Sequence, residues 1–171
     1  MNKKFSVDAL AKAGMLTALS IILSRYLGFF ITPTMKVSFG TLPLIISGMM
    51  LGPIMGGLSG VASDLIGVMI NAGGTPHLGF TLGALLTGAV PGLISLYCKN
   101  KKIDLKFEVL FIIIFVYLIS HTLLTPLWLS QLYGTPYKVL IISRMPKVLI
   151  DAIINYILLY FVASKILPKV K

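Results

Sequence analysis

Residues 105–129, LKFEVLFIIIFVYLISHTLLTPLWL, indicate the class of protein to which this chain belongs. From Val109 to Leu129 this stretch contains no Asp, Glu, Lys or Arg. A helix needs about 20 mainly apolar residues to cross the hydrocarbon core of a bilayer. Because the uncharged run reaches that length, it predicts a membrane-spanning helix.

Five further apolar stretches accompany it, and the second of the six is short and stops at Gly52-Pro53. The predicted spans are residues 7–30, 41–51, 53–70, 78–97, 105–129 and 137–167. Because they occupy most of the chain, the sequence predicts an all-α integral membrane protein. We expect one bundle of six transmembrane helices that forms a single domain over residues 1–171.

The composition excludes several other classes of protein. Hydrophobic residues make up 57% of the 171 residues and charged residues 12%, whereas a soluble domain carries about 25% charged residues. The single cysteine excludes an internal disulfide and a cysteine-cluster metal site, and only two histidines accompany it, which argues against a Cys/His zinc site. The net charge of +10 would point to nucleic acid in a soluble protein, but in a membrane protein it reports topology.

Ten of the 15 cations fall in three regions that six spans place on one side of the membrane. By the positive-inside rule this side is the cytoplasm, so we expect both termini inside. These ten residues are Lys3, Lys4, Lys12, Lys99, Lys101, Lys102, Lys106, Lys165, Lys169 and Lys171. The remaining five are Arg25, Lys36, Lys138, Arg144 and Lys147, which the same topology assigns to the outer half. A basic outer half indicates that an anionic ligand is gathered from outside.

The last span carries polar residues on one face. Arg144, Lys147, Asp151 and Asn155 follow a spacing of i, i+3, i+7 and i+11. Charges within a membrane are costly and are functional candidates. The alternative is an ion pair between Lys147 and Asp151 along the helix, with Arg144 extending towards the interface.

Asp64 lies near the middle of the third span. It can pair with Arg25 or Arg144 and hold helices together, or it can accept hydrogen bonds from N–H groups of a ligand.

The connection after this span, residues 71–77, contains Asn71, Gly73 and Gly74. Glycines permit close approach of the backbone to a ligand, although they also form ordinary turns. Phe80 and Thr81 begin the next span on the same side of the membrane.

Aromatic and polar residues mark the outer end of the fifth span. Trp128 and Tyr133 fit an interfacial aromatic belt, or alternatively a stacking platform for a flat ring. His121 lies within the span, close to Thr125-Pro126, and we expect it to be packed and hydrogen-bonded.

The sequence contains no G-x-S-x-G, H-E-x-x-H or phosphate-binding P-loop motif, so we expect no enzymatic activity, no cofactor and no ATP hydrolysis by this chain. Two other classes stay open. One is an intramembrane enzyme that uses Asp64 and Asp151. The other is a small structural or scaffolding membrane protein, which would leave the basic outer half unexplained.

Several segments, in order along the chain, resemble the substrate-binding S components of energy-coupling factor (ECF) vitamin transporters. They include the pattern Ala9-x-x-x-Ala13 and the junction Gly52-Pro53. Within that family the chain is most similar to the folate-specific S components. The supporting segments are AGMLTALS at 13–20, LSR at 23–25, VSFG at 37–40, LGPI at 51–54, DLIG at 64–67, GFTL at 79–82 and RMPK at 144–147.

This resemblance implies a mechanism. The S component would bind folate from outside under a cap made by the loop between the first two spans. It would then join a membrane coupling subunit and two cytoplasmic ATPases, topple, and release the vitamin inside a prokaryotic cell. Ala9 and Ala13 would face the coupling subunit, although close packing within the bundle remains an alternative. Another anionic vitamin, such as pantothenate or a riboflavin-like ligand, is the alternative substrate.

A folate-like ligand has a flat pterin, a benzoyl ring and a glutamate with two carboxylates. We expect Asp64 and Asn71 to form hydrogen bonds with the edges of the pterin. We expect the rings of the ligand to stack on Phe39, Phe80 or Trp128, and its carboxylates to contact Arg25, Arg144 and Lys147. The complete predicted site is Arg25, Ser38, Phe39, Asp64, Asn71, Gly73, Gly74, Phe80, Thr81, Trp128, Arg144, Lys147 and Asn155.

Overall fold

The computed structural model describes residues 6–32, 35–71 and 75–166, without the side chains of residues 29–32, 35–37 and 166. These residues form a helical bundle with one short antiparallel β-hairpin. The helices are α1 (Val7–Ile21), α2 (Thr41–Leu51), α3 (Pro53–Ile70), α4 (Leu78–Lys101), α5 (Leu105–Phe115), α6 (Thr125–Tyr133) and α7 (Tyr137–Ile166). The hairpin pairs β1 (Phe29–Thr32) with β2 (Met35–Val37). A first π-helical segment, Ile22–Tyr26, extends α1, and a second, Val116–Leu124, joins α5 to α6.

Five continuous helical stretches of the described residues are long and apolar enough to cross a membrane. They are Val7–Tyr26, Pro53–Ile70, Leu78–Lys101, Leu105–Tyr133 and Tyr137–Lys165. Helix α2 is apolar but shorter, as the sequence predicted. The helical, multi-pass architecture predicted from the sequence is therefore confirmed.

The end of the first span differs from the prediction. The predicted span extends to Phe30, but its helical part ends at Tyr26 and the chain then enters the hairpin. Phe29-Phe30-Ile31-Thr32 combines aromatic and β-branched residues, which favour extended backbone. The predicted helix therefore included the start of an apolar strand, because hydrophobicity alone does not distinguish an apolar strand from an apolar helix.

Helix α2 lies at the centre of the bundle. Its residues 43–49 are all buried, and it contacts α1, α3, α4 and α7. A helix that is apolar on every side is a buried one, which explains why α2 need not span the membrane to be stable. The main core joins α2 to α5, the second π segment and α7 through Ile45, Ile46, Met49, Val109, Ile112, Ile113, Val116, Tyr117, Val148, Leu159 and Ala163.

Glycines set the close approach of α2, α3 and α4. A Cβ added at Gly88 would collide with the carbonyl oxygen of Gly56, and one added at Gly60 would collide with that of Ala84. Small residues allow membrane helices to pack this closely. Gly52, with φ of 89°, makes the sharp turn between α2 and α3, a backbone conformation that other residues rarely adopt.

Candidate binding site

A cavity of about 270 Å³ lies at the end of the bundle that carries the hairpin. This volume is close to the lower limit of about 300 Å³ for small-molecule sites. Hydroxyl groups dominate its polar lining, contributed by Ser20, Ser24, Ser38, Thr41, Ser63, Thr87, Ser120 and Thr125. Arg25 and Asp64 supply charge, while Phe80, His121 and Trp128 supply rings. The cavity therefore combines flat apolar surfaces with a few polar groups, as ligand sites do.

Asp64 is the acidic centre of the cavity. Its Oδ1 accepts a hydrogen bond from Nη2 of Arg25 at 3.3 Å, and its Oδ2 accepts one from the hydroxyl of Thr81 at 2.7 Å. The side chains of Arg25 and Asp64 are 14% and 15% exposed. Of the two cations that the sequence offered as partners for Asp64, the structure pairs it with Arg25.

The guanidinium of Arg25 packs closely against α3 at Gly67. A Cβ added at Gly67 would lie 2.7 Å from its Nε, so the guanidinium occupies space that a larger residue would fill. Its Nη1 also donates to the backbone carbonyl of Asn71 at 3.2 Å. That carbonyl belongs to the C-terminal cap of α3, where the helix dipole favours a cation.

A chain of hydrogen bonds links α3, α1 and the return from the hairpin. The hydroxyl of Ser63 donates to Oγ of Ser20 at 2.9 Å, and Ser20 donates to the carbonyl oxygen of Gly40 at 2.8 Å. All three residues line the cavity. The segment that follows the hairpin is thus attached to the two helices that carry Arg25 and Asp64.

Three rings cluster beside the cavity, and two of them, those of Phe80 and Trp128, line it. The imidazole of His77 lies 5.6 Å from the indole of Trp128 and 6.0 Å from the ring of Phe80, measured between centroids. The indole rests on Gly79, where an added Cβ would collide with it. Of the two interpretations of Trp128, this position favours the stacking platform, whereas Tyr133 is 49% exposed and fits the interfacial belt.

His121 lies in the second π segment and lines the cavity. Its ring packs on Tyr117 with centroids 4.8 Å apart. Its Nε2 is buried and has no hydrogen-bond partner among the described residues. The expectation of a fully hydrogen-bonded histidine is therefore wrong for this atom. Because an unsatisfied buried polar group costs about 1–3 kcal/mol, the nitrogen is available to a ligand that brings its own hydrogen bond.

Threonine hydroxyls support the wide helical turns around His121. Thr122 donates to the carbonyl of Tyr117 at 3.0 Å, and Thr125 donates to that of Ser120 at 2.7 Å. Pro126 has no N–H to donate, which loosens the normal helical ladder. Such π-helical turns occur frequently at functional sites.

The polar face of α7 does not reach the cavity. Arg144 and Asn155 are buried, and Nζ of Lys147 pairs with Oδ2 of Asp151 at 2.6 Å. Nδ2 of Asn155 donates to the carbonyl of Asp151 at 2.8 Å. The intrahelical ion pair, one of the two alternatives from the sequence, is the one observed. Helix α7 packs against the second π segment, which carries His121, but none of these four residues lines the cavity.

The structure separates the predicted site residues into groups. Arg25, Ser38, Asp64, Phe80 and Trp128 line the cavity. Thr81 acts through Asp64, and Asn71 contributes its backbone carbonyl to Arg25. Phe39, Arg144, Lys147 and Asn155 lie outside the lining. Gly73 and Gly74 lie outside the described residues.

Ala9 and Ala13, which were predicted to face the coupling subunit, differ in burial. Ala13 is buried in the bundle and Ala9 is half-buried, which favours close packing within the chain at Ala13. His121 and the hydroxyl residues other than Ser38 were not predicted as lining. The signal for His121 was present, because polar residues and a proline interrupt the most apolar span.

Comparison with known proteins identifies the relatives of this chain. Residues 8–163 match the family model described as "ECF transporter, substrate-specific component". The folate transporter FolT of Clostridium novyi (strain NT) is 34% identical over 154 residues, which are 90% of this chain and 87% of that protein. A crystal structure of FolT bound with folic acid superposes with a TM-score of 0.81 at 27% identity, covering 94% of this chain and 95% of the other.

Two further structures share the fold. The S component of a bacterial ECF transporter has a TM-score of 0.70 at 22% identity, covering 96% of this chain and 98% of that one. An S component for biotin from an ECF-type ABC transporter has a TM-score of 0.66 at 24% identity, with coverage of 96% and 95%. Since the family model spans nearly the whole bundle, the chain belongs to the family of substrate-specific components of ECF transporters.

Proposed function

We propose that this chain is the folate-binding S component of an ECF transporter. The observation that carries the proposal is its likeness, over about nine-tenths of its length, to the folate transporter FolT and to FolT bound with folic acid. The cavity supports it independently, because a carboxylate and three rings suit a flat heterocycle that carries N–H donors.

In this proposal the carboxylate of Asp64 accepts hydrogen bonds from N–H groups of the pterin. A carboxylate offers about four acceptor positions. Arg25 and Thr81 occupy two of them, so Asp64 can accept further hydrogen bonds while remaining held in place. Trp128 and Phe80 provide the stacking surfaces, and His121 hydrogen-bonds a polar edge of the same ring system.

The carboxylates of the glutamate need cations, and Arg25 is the cation in the cavity lining. Arg144, Lys147 and Asn155 are proposed to act on the site indirectly, because α7 packs against the second π segment, which carries His121. Phe39 is exposed and lies just before Gly40, so it is proposed to close over the ligand together with Ser38. Contact of Gly73 and Gly74 with the ligand stays a prediction. The small size of the cavity favours such rearrangement, because folate exceeds what it can enclose.

Transport requires partners in this proposal. Six helices would cross the cell membrane of a prokaryote with both termini inside, and folate would enter the site from outside. The sequence has no P-loop, so ATP hydrolysis falls to two cytoplasmic ATPases that act through a membrane coupling subunit. Contact of the Ala9-x-x-x-Ala13 face with that subunit stays a prediction.

The enzyme alternative receives no support from the carboxylates. An aspartyl dyad needs two carboxyl groups that share a proton. Asp64 pairs with Arg25, and Asp151 pairs with Lys147. Each carboxylate therefore contacts its own cation, and the two aspartates are not paired with each other.

The single tryptophan, Trp128, allows a direct test because it lines the cavity. We expect folate to quench the fluorescence of the purified protein in a saturable manner, with one ligand bound per chain. Biotin, pantothenate and riboflavin serve as competitors. Calorimetry that detects no folate binding, or tighter binding of one of the other vitamins, would overturn the folate assignment.

A further inference from the structure

A second concave surface lies between α4 and α5, at the opposite end of α4 from the cavity. Its volume is about 470 Å³, and its walls are almost entirely apolar. We call it the α4–α5 groove, lined mainly by Leu93, Ile94, Tyr97, Cys98, Phe111 and Phe115. Tyr97 is 61% exposed and Phe111 50%, so the groove is open at the side of the bundle.

Lysines surround the end of the α4–α5 groove. Lys99, Lys101, Lys102 and Lys106, here named the lysine collar, are all exposed. Cys98 and Ile103 line the groove on either side of the first three. Asp104 and the buried Glu108 reduce the net charge of residues 99–108, but four cations against two carboxylates leave +2.

The groove and the collar are continuous along one helix face. Leu93, Tyr97 and Lys101 follow each other at intervals of four residues and therefore lie in one row. At a rise of 1.5 Å per residue, Lys101 lies about 12 Å along the axis from Leu93. Along this row the surface changes from the apolar wall at Leu93 to the phenol of Tyr97 and then to the ammonium group of Lys101.

We propose that the α4–α5 groove and the lysine collar bind one phospholipid with an anionic headgroup. The acyl chain lies in the groove, the phenol of Tyr97 sits at the level of the ester groups, and the headgroup contacts the collar. Basic residues close to a membrane helix attract anionic lipids. The positive-inside rule accounts for lysines in this connection, but it does not account for an apolar groove that leads to them. This inference is independent of which vitamin the cavity binds.

The test compares two lipids that share the same acyl chains. Protein purified in detergent is incubated with dioleoyl phosphatidylglycerol or dioleoyl phosphatidylcholine, and bound lipid is counted by native mass spectrometry. We expect one retained phosphatidylglycerol and an affinity about tenfold higher than that for phosphatidylcholine.

Lys101→Gln should reduce the preference about fivefold, since it removes one of the cations at the headgroup. Lys165→Gln is the matched control, because Lys165 is likewise exposed in the last turn of its helix but does not border the groove. Leu93→Trp should fill the groove and lower the occupancy of both lipids. Equal retention of the two lipids by the unmodified protein, or an equal loss of preference in the two lysine variants, would overturn the proposal.

Discussion

Asp64 and His121 differ in how many of their polar atoms have hydrogen-bond partners within the folded chain. The carboxylate of Asp64 already holds two partners from α4 and from the first π segment, which fix its position before a ligand arrives. Nε2 of His121 has no partner among the described residues. A ligand would therefore add hydrogen bonds to a preorganised carboxylate, and it would relieve an existing cost at the histidine.

We predict that Asp64→Asn weakens folate binding about 10- to 100-fold. Hydrogen bonds to a charged group contribute about 1.5–3 kcal/mol each, and the amide cannot accept at both ends. Titration of Trp128 fluorescence measures the loss. Asp104→Asn, in the exposed turn between α4 and α5, is the control and should leave the affinity unchanged. If the two variants bind folate alike, Asp64 is not a ligand contact.

His121→Phe should reduce folate affinity about 3- to 10-fold, the value of one neutral hydrogen bond. Its melting temperature should stay the same or rise, because the ring still packs on Tyr117 and a buried nitrogen without a partner disappears. Thermal unfolding and ligand titration together separate the two effects. A lower melting temperature with unchanged affinity would mean that the histidine has only a structural role.

At the scale of elements, interruptions of regular helix form the site. The first π segment carries Arg25, the second carries His121, and the hairpin returns the chain to Gly40 at the cavity. Regular helices supply the opposite wall, where the start of α4 packs against α6. Irregular backbone near the middle of a membrane protein is tolerated where it is buried or lines a cavity.

The contact between α4 and α6 yields a third prediction. Gly79→Ala should displace the indole of Trp128, because the new Cβ would collide with several atoms of the ring. Overpacking of this kind costs about 1–3 kcal/mol of stability. We also expect a shifted fluorescence emission and a several-fold lower affinity for folate. Gly14→Ala is the control, since nothing lies within 4 Å of its added Cβ; the interpretation fails if both variants retain the emission of the parent.

For the whole molecule, the cavity and the lysine collar lie at opposite ends of α4. If the proposed topology is correct, the cavity faces outward and the collar faces the cytoplasm. The distribution of charge then serves two purposes in one small bundle. In that topology the lysines at the inner end orient the protein in the membrane, and Arg25 at the outer end is proposed to meet an anionic ligand.

Cysteine labelling in intact cells measures this orientation. In a Cys98→Ala background, Lys138→Cys should react with a membrane-impermeant maleimide added outside, because Lys138 is exposed at the start of α7. Lys101→Cys should react only after the cells are permeabilised. Labelling of Lys101→Cys in intact cells would contradict cytoplasmic placement of the connection between α4 and α5, and with it the six-span topology.

The sequence by itself determined the multi-pass helical class and five of the long spans, because apolar length and the cost of membrane-embedded charge are properties of each segment alone. Residue resemblance also indicated the family. The tertiary structure decided which polar residues meet. Arg25 and Asp64 are 39 positions apart, and Gly79 and Trp128 lie on different helices, so no local pattern connects them. Arg144, Lys147 and Asn155 were convincing candidates by charge, yet they lie outside the cavity lining. Periodicity places polar residues on one face of α7, but it does not show whether that face borders a cavity or a neighbouring helix, and only the packing of the helices decides it.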